Sequence, residues 1–292
     1  YKMIAIYCKD NGLGLSKDAR ILVSTLRKFT EEEIVVSDPG SPLTCRVAIH
    51  VEIPAWHGMG QAEKNVLIPN PEWYMWRDRI GEFDHILAKT RDAETRFSEY
   101  NSKTVYSGFS LPEQPYPPCR KEGCIHIRGG SDFKGTNSVL DAWRKYPDLP
   151  PLTVYSHHNI LGVPENVELR VGKFSESVIT NARNSAAISV QPSMAEGFGY
   201  VLWEAVDAGN ILITTDAPPM NEVTGFHAKA AYVGEHWMGS KWEASPDDIA
   251  LLVRYASNLS PSEVYQQVRS GKNRLRLMSS FFEEILKMVV LK

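Results

Sequence analysis

The segment AAISVQPSMAEGFGYVLWEAVDAG, residues 186–209, contains a short apolar run, a loop with two glycines and an apolar helical pattern in succession. The run AAISV predicts a strand, and the pattern after the loop predicts a helix. Glu196 lies in the loop, and Glu204 lies in the early turns of the predicted helix. In a doubly wound sheet, ligands bind where strands end and helices begin, so we expect a binding site at this loop.

The loop has the chemistry of an anion site. The N–H groups and the positive dipole end of the helix favour a phosphate, and the glycines let a ligand approach the backbone. Along a helix the two glutamates would lie about 12 Å apart and could bracket an extended ligand. Alternatively, Glu196 only complements the helix dipole and Glu204 is solvated. Because the residues around Glu204 are apolar, we expect its carboxylate to need a hydrogen-bonding or charged partner.

Short apolar runs alternate with helical patterns along the rest of the chain, in both halves. This alternation predicts parallel sheets with helices on both faces, so the predicted fold class is α/β with two Rossmann-like domains. The predicted strands of the first half lie at residues 3–8, 33–37, 45–54, 84–90 and 103–110, and residues 64–74 predict a further strand that runs into a turn.

A proline-rich stretch separates the two halves. Residues 110–123 contain four prolines, which cannot sustain a central strand or a helix interior, so we place the interdomain linker here. The predicted domains span residues 1–112 and 123–278. Helices are predicted at 247–258 and 281–292.

Composition limits the class of function. The chain has 292 residues, a formal net charge of −3 and 43% apolar residues, which is typical of a globular protein of about two domains. A binding module with a single motif would be much shorter than this chain. The small net charge argues against binding of nucleic acid or membranes through overall charge. No apolar run approaches the roughly 20 residues of a membrane span, and peripheral membrane contact stays open.

The cysteines indicate a reducing compartment. The chain has four, Cys8, Cys45, Cys119 and Cys124, and its start lacks the pattern of a signal peptide. We therefore expect a cytoplasmic protein with free thiols. The spacing of the cysteines does not match a zinc site, and no Asp-x-Asp is present to hold a divalent metal.

The residues Glu-Gly-Phe-Gly at 196–199, the following Glu204-Ala and TTDAPPMNEV at 214–223 resemble the signature of retaining GT-B glycosyltransferases of family 4. This family transfers a sugar from a nucleoside diphosphate sugar and carries two glutamates at the spacing found here. The resemblance implies that Glu196 contacts the donor sugar and Glu204 the ribose hydroxyls. It also implies donor contacts from the backbone N–H groups around Gly197, Phe198, Gly199 and Tyr200.

A second match lies in HIRGGSDFKG, residues 126–135. It is similar to the arginine and the Lys-Gly pair with which the family holds the donor diphosphate, and it implies these roles for Arg128 and Lys134. Departure of the nucleoside diphosphate leaves negative charge, which two fixed cations and a helix N-terminus would stabilise. The two cations are six positions apart, where the family usually shows five.

The first half matches the family in fewer residues. Gly12 and Gly14 lie in the first strand-to-helix loop, where the family has a glycine-rich turn beside the donor, although a simple tight turn is the alternative. Position 17 is lysine, so a Gly-x-Gly-x-x-Gly fingerprint is incomplete. The resemblance also places a histidine beside the transferred sugar. His50 is the catalytic candidate and His57 competes with it, while a packed or surface histidine is the alternative for either.

The resemblance implies an acceptor-binding first domain that faces a nucleotide-sugar-binding second domain across a cleft, with helix 279–292 crossing back to the first domain. Four aromatic residues of the first half would stack on an acceptor sugar or base, or else pack in the core and hinge. They are Trp56, Trp73, Tyr74 and Trp76.

We thus expect a hexosyltransferase-type enzyme that uses a UDP- or GDP-sugar with retention, without a metal or other cofactor. The acceptor is open: a glycan, a lipid-linked sugar, a protein or a modified nucleic acid. The alternatives are a glycosyltransferase acting on modified DNA bases, a nucleotide-sugar epimerase or phosphorylase, and a non-catalytic nucleotide-sugar binder. The incomplete glycine fingerprint disfavours a nicotinamide oxidoreductase.

Overall fold

The computed structural model describes residues 2–10, 12, 14–111, 114 and 116–291. The chain forms two compact units. Unit 1 comprises Tyr1–Pro112, His236–Gly239 and Leu277–Lys292, and unit 2 comprises Glu113–Glu235 and Ser240–Arg276. Within the predicted linker 110–123, positions 112, 113 and 115 lie outside the described residues.

Unit 1 contains a parallel sheet, in which the described residues form six strands in the order β2-β1-β3-β4-β5-β6. Helix α1, Gly14–Leu26, follows β1, and α2, Arg91–Ser98, follows β5. The Thr90 side chain caps α2 by accepting a hydrogen bond from the Ala93 N–H. The strands are β1 Met3–Tyr7, β2 Glu33–Ser37, β3 Cys45–Val51, β4 Ala62–Ile68, β5 His85–Ala88 and β6 Thr104–Tyr106.

Unit 2 contains a second parallel sheet, with six strands among the described residues in the order β12-β11-β10-β7-β8-β9. Trp143 is fully buried in the core beneath this sheet. The strands are β7 Glu122–Gly129, β8 Leu152–Ser156, β9 Val167–Val171, β10 Ala186–Gln191, β11 Ile211–Thr215 and β12 Phe226–Ala228. The helices between and after them are α3 Thr136–Lys145, α4 Glu176–Ser185, α5 Tyr200–Asp207 and α6 Pro246–Ser257.

The predicted α/β class with two Rossmann-like parallel sheets is confirmed, but several element limits were wrong. The strand predicted over 103–110 ends already at Tyr106. The segment 64–74 forms a strand that runs into a turn, as predicted: β4 ends at Ile68, because Pro69 has no N–H for the sheet, and Pro71 begins a 3-10 turn. Strand β12 was not predicted. Two further unpredicted strands, β13 Ala230–His236 and β14 Gly239–Ala244, form a separate two-stranded sheet.

The last helix, α7, spans Pro261–Leu291 and begins about 20 residues before the predicted start at 281. Its N-terminus is a capping box: the Ser260 N–H donates to Glu263 Oε2 at 2.8 Å, and the Glu263 N–H donates to Ser260 Oγ at 3.3 Å. With Pro261 at the first helical position, Ser-Pro-Ser-Glu is a sequence signal for this start.

One close backbone approach joins two loops of unit 2. Gly135 lies between β7 and α3 with φ +66°, and a Cβ at this position would lie 1.9 Å from the carbonyl oxygen of Pro192, just after β10. The adjacent Met194 N–H donates to the Phe133 carbonyl at 2.7 Å. The loops after β7 and β10 are therefore fixed against each other.

We predict that Gly135→Ala destabilises unit 2 more than Gly162→Ala does. Gly162 has nearly the same φ, +67°, but no atom within 4 Å of a Cβ. Gly162→Ala should therefore cost only the left-handed strain of about 1–2 kcal/mol. Gly135→Ala should lose about 1–3 kcal/mol more from overpacking.

Chemical denaturation of both variants measures this difference in the free energy of unfolding. Equal losses in the two variants would contradict the close approach of Gly135 to Pro192.

Candidate functional site

The predicted site residues of unit 2 lie at the carboxyl ends of two adjacent strands. Arg128 is near the end of β7, and Lys134 ends the following 3-10 turn, Asp132–Lys134. Glu196 lies in the loop after β10, directly before α5. Since β7 and β10 are neighbours in a parallel sheet, the structure brings these two loops to one edge.

Lys134 and Glu196 form the central contact of this edge. Lys134 Nζ lies 2.5 Å from Glu196 Oε1, and their side chains are only 20% and 10% exposed. Ser193 Oγ donates to the same oxygen at 2.6 Å. The carboxylate is thus fixed by two donors on Oε1. Ser193 was not predicted from the sequence.

Arg128 is held from two sides. Its Nη1 donates to Ser156 Oγ at the end of β8 at 3.1 Å, and its Nη2 lies 2.5 Å from Asp132 Oδ1. The Arg128 side chain is 15% exposed, whereas that of Asp132 is 85% exposed. Because Asp132 is largely solvated, its pairing with Arg128 is worth little, and an anionic ligand can replace it.

A buried histidine supports both loops. The pKa of His126 is lowered to about 4 by burial, so the imidazole is neutral near pH 7. Its Nδ1 lies 2.7 Å from the Val190 carbonyl and must donate, and its Nε2 lies 2.9 Å from Thr136 Oγ1. His126 therefore connects β7, β10 and the start of α3. This role of His126 was not predicted.

The start of α5 depends on Gly199, which has φ +80° and precedes the first helical residue, Tyr200. The N–H groups of Leu202 and Trp203 donate to its carbonyl at 2.9 and 3.1 Å. The Phe198 ring is buried and stacks on Trp203, with ring centroids 6.2 Å apart. Hence the Phe198 side chain serves packing, while Gly197 leaves the loop without a side chain at that position.

Glu204 has a charged partner. Its Oε2 accepts a hydrogen bond from Arg183 Nη2 on α4 at 2.8 Å, and the two side chains are 11% and 5% exposed. The apolar neighbours of Glu204 predicted that it would need a partner, and Arg183 is that partner. Arg183 was not predicted, because nothing in a single sequence pairs a residue of α4 with one of α5.

The first-half candidates lie in unit 1. Gly12 has φ +65°, and its N–H donates to Asp10 Oδ1 at 3.0 Å, so this glycine lies in a tight turn. Gly14 is the first residue of α1. Two residues of the predicted glycine turn, at positions 11 and 13, lie outside the described residues.

His50 has the surroundings of a core histidine. Its ring is fully buried and stacks on Tyr7, with ring centroids 5.2 Å apart. The Ala55 N–H donates to Nδ1 at 3.0 Å, so Nε2 carries the proton and donates to Asn65 Oδ1 at 3.1 Å. Burial lowers the pKa of His50 to about 4. With both nitrogens used and no exposed surface, His50 does not suit contact with a sugar, whereas His57 is exposed.

The four candidate aromatics separate by burial. Tyr74 is fully buried, and Trp56 and Trp76 pack against the same cluster. Trp73 is 45% exposed, and its ring contacts His236 at a centroid distance of 4.8 Å. Three of the four thus contribute to the core. Across the described ranges, no three His, Cys, Asp or Glu side chains are grouped as metal ligands.

No protein-family model matches the sequence, and no curated protein is significantly similar to it. Solved structures resemble the fold. Anabaena HepE, in complex with UDP and glucose, is 10% identical with a TM-score of 0.71, and the match covers 100% of both chains. A glycosyltransferase from Rickettsia africae is 12% identical with a TM-score of 0.69, and the match covers 99% of both chains.

The pneumococcal O-GlcNAc transferase GtfA, in complex with UDP and GlcNAc, is 15% identical with a TM-score of 0.59. The match covers 84% of the present chain and 57% of GtfA, so the chain spans little more than half of that protein. At these identities the similarity concerns the fold. The chain has the two-sheet α/β fold of GT-B glycosyltransferases.

Proposed function

We propose that the protein is a retaining glycosyltransferase that transfers a sugar from a UDP- or GDP-sugar to an acceptor hydroxyl. The observation that carries the proposal is the contact of Lys134 with Glu196, at 2.5 Å, where two parallel strands end. At this edge the cation suits the diphosphate of such a donor, and the carboxylate suits its sugar hydroxyls. The fold similarity to solved glycosyltransferases supports the same function.

Lys134 and Arg128 are proposed to hold the donor diphosphate. An ammonium has three N–H donors, so Lys134 can keep Glu196 and still bind a phosphate oxygen. Arg128 can exchange the solvated carboxylate of Asp132 for a phosphate. Both cations would then stabilise the charge that develops as the nucleoside diphosphate departs.

The two glutamates are proposed to bind hydroxyl groups. Oε1 of Glu196 is occupied by Lys134 and Ser193, which orients Oε2 as an acceptor for a hydroxyl of the donor sugar. Arg183 fixes Oε2 of Glu204 by an ion pair, and the carboxylate can accept hydrogen bonds from the ribose hydroxyls. Backbone N–H groups at Gly197, Phe198, Gly199 and Tyr200 are proposed to contact sugar and phosphate.

For the chemical step we propose front-face attack, in which the departing phosphate takes the proton of the acceptor hydroxyl. No protein nucleophile and no metal are needed, since the two cations supply the positive charge.

Unit 1 is proposed to bind the acceptor. None of the described helices is both long and apolar enough to cross a membrane.

We predict that Lys134→Ala lowers the transfer rate by about 10²–10³-fold, because it removes a charge that acts mainly when the phosphate departs. The matched control is Lys145→Ala on α3, whose side chain is 57% exposed and pairs with Asp247. Rates are measured with UDP- and GDP-sugars, by transfer or by donor hydrolysis. Arg128→Ala should behave like Lys134→Ala.

A wild-type rate for Lys134→Ala would refute the phosphate assignment. The same assay with EDTA tests the proposed metal independence. Loss of activity that Mg²⁺ or Mn²⁺ restores would overturn it.

We predict that the two glutamates separate by role. Glu204→Gln should weaken binding of free UDP or GDP, because the ribose is the same in the ground and transition states. Glu196→Gln should lower the transfer rate and leave affinity for the free nucleotide nearly unchanged. Calorimetric titration with the nucleotide, beside the rate with the full donor, measures both effects. Glu168→Gln, with a 58% exposed side chain on β9, is the control.

The reverse result, with nucleotide affinity lost in Glu196→Gln and kept in Glu204→Gln, would mean that the donor lies in the opposite direction along α5. No effect in either variant would contradict the proposed donor site.

A further inference from the structure

A polar network lies at the carboxyl edge of the unit 1 sheet, apart from the residues assigned above. Glu52 follows β3, Asn70 follows β4 and Lys89 follows β5, while Asp18 lies on α1. In a parallel sheet this edge is where ligands bind. The four residues come from four separate elements, so no short sequence motif reveals them.

The network is a continuous chain of hydrogen bonds. Lys89 Nζ lies 2.5 Å from Asp18 Oδ2 and donates to Asn70 Oδ1 at 3.1 Å. Asn70 Nδ2 then donates to Glu52 Oε2 at 2.7 Å. Because an ammonium can only donate, Lys89 fixes the amide oxygen of Asn70 toward itself and thereby turns the amide N–H₂ toward Glu52.

Two features of this network are unfavourable for stability. The Lys89–Asp18 ion pair has side chains only 1% exposed, and buried pairs of this kind are often no more stable than apolar residues of similar size. Glu52 has φ +62°, a left-handed conformation that is strained for a residue with a side chain. Strain of this kind is concentrated at functional sites. The arrangement therefore points to a function for the Glu52 carboxylate.

The Glu52 carboxylate still has an open acceptor. Oε2 is occupied by Asn70, whereas Oε1 has no hydrogen-bond partner in the described part of the chain, and Glu52 is only partly buried. Among the three charged residues of the network, Glu52 and Asp18 carry negative charge against Lys89, which leaves the network itself with one net negative charge. Such a site accepts a hydroxyl and disfavours an anion.

We propose that Glu52 binds a hydroxyl group of a neutral acceptor, such as an uncharged sugar, through Oε1, and that Asn70, Lys89 and Asp18 position it. This inference rests on the proposed glycosyltransferase function and narrows its acceptor class: a hydroxyl that is not next to a phosphate or carboxylate group. Burial raises the pKa of Glu52, in keeping with a carboxylate in a restricted polar site.

The test is a binding titration by saturation-transfer NMR with two kinds of probe. One is a panel of methyl glycosides of glucose, galactose, mannose and N-acetylglucosamine, and the other is glucose 6-phosphate. The wild type should bind at least one glycoside and prefer it to glucose 6-phosphate. Glu52→Gln should bind that glycoside at least tenfold more weakly, because a charged acceptor is lost. Glu33→Gln, an exposed residue of β2, should match the wild type.

Unchanged glycoside affinity in Glu52→Gln would overturn the proposal. So would a preference of the wild type for glucose 6-phosphate, or failure of the wild type to bind any glycoside. A purely structural role of Glu52 would not produce selective loss of the neutral probe.

Two further measurements separate the possible failures. Since φ is positive at position 52, Glu52→Gly should have a higher Tm than Glu52→Ala, while both lose glycoside affinity. A lower Tm for Glu52→Gly than for Glu52→Ala would contradict the backbone strain at position 52 on which the proposal rests. Titration with free UDP and GDP should give wild-type affinity in all Glu52 variants. If the wild type binds neither nucleotide, the proposed function itself fails, whatever the glycoside results.

Discussion

The candidate site of unit 2 depends on the close approach of Gly135 to Pro192. A Cβ at position 135 would lie 1.9 Å from the Pro192 carbonyl oxygen, so only glycine lets the loops after β7 and β10 meet. Lys134 and Glu196 flank this contact in the two loops, and their ion pair follows from it. His126, a neutral histidine, supports the same loops through hydrogen bonds of its ring with the Val190 carbonyl and Thr136 Oγ1. The backbone thus sets the geometry before any ligand is bound.

Both cations proposed to bind the diphosphate already have a carboxylate partner. Lys134 is paired with the nearly buried Glu196, and Arg128 with the exposed Asp132. The side chains are therefore held in place without a ligand, which reduces the ordering cost of binding. In our proposal an anionic donor replaces the weak partner of Arg128 and adds to the coordination of Lys134. Preorganised charges of this kind are the main means of stabilising a departing phosphate.

The sequence predicted what is local in the chain. Alternating apolar runs predicted both sheets, and the loop with Glu196 was placed correctly before α5, because strand ends and helix starts have local signals. Partners distant in sequence were not predictable, and Arg183 beside Glu204 is the main example. His50 was selected because the resemblance places a histidine beside the transferred sugar, but its burial, which depends on the packing of Tyr7 and Phe83, gives it a core environment.

The most direct test of the central claim is whether a nucleoside diphosphate sugar stabilises the protein. Unfolding is followed in the presence of UDP-, GDP-, ADP- and TDP-sugars, with the free sugars as controls. A ligand that binds the folded protein at 100 times its Kd should add about 2.7 kcal/mol to the free energy of unfolding. We predict that a UDP- or GDP-sugar stabilises the protein much more than the free sugar does at the same concentration. No stabilisation by any nucleotide sugar would contradict the account.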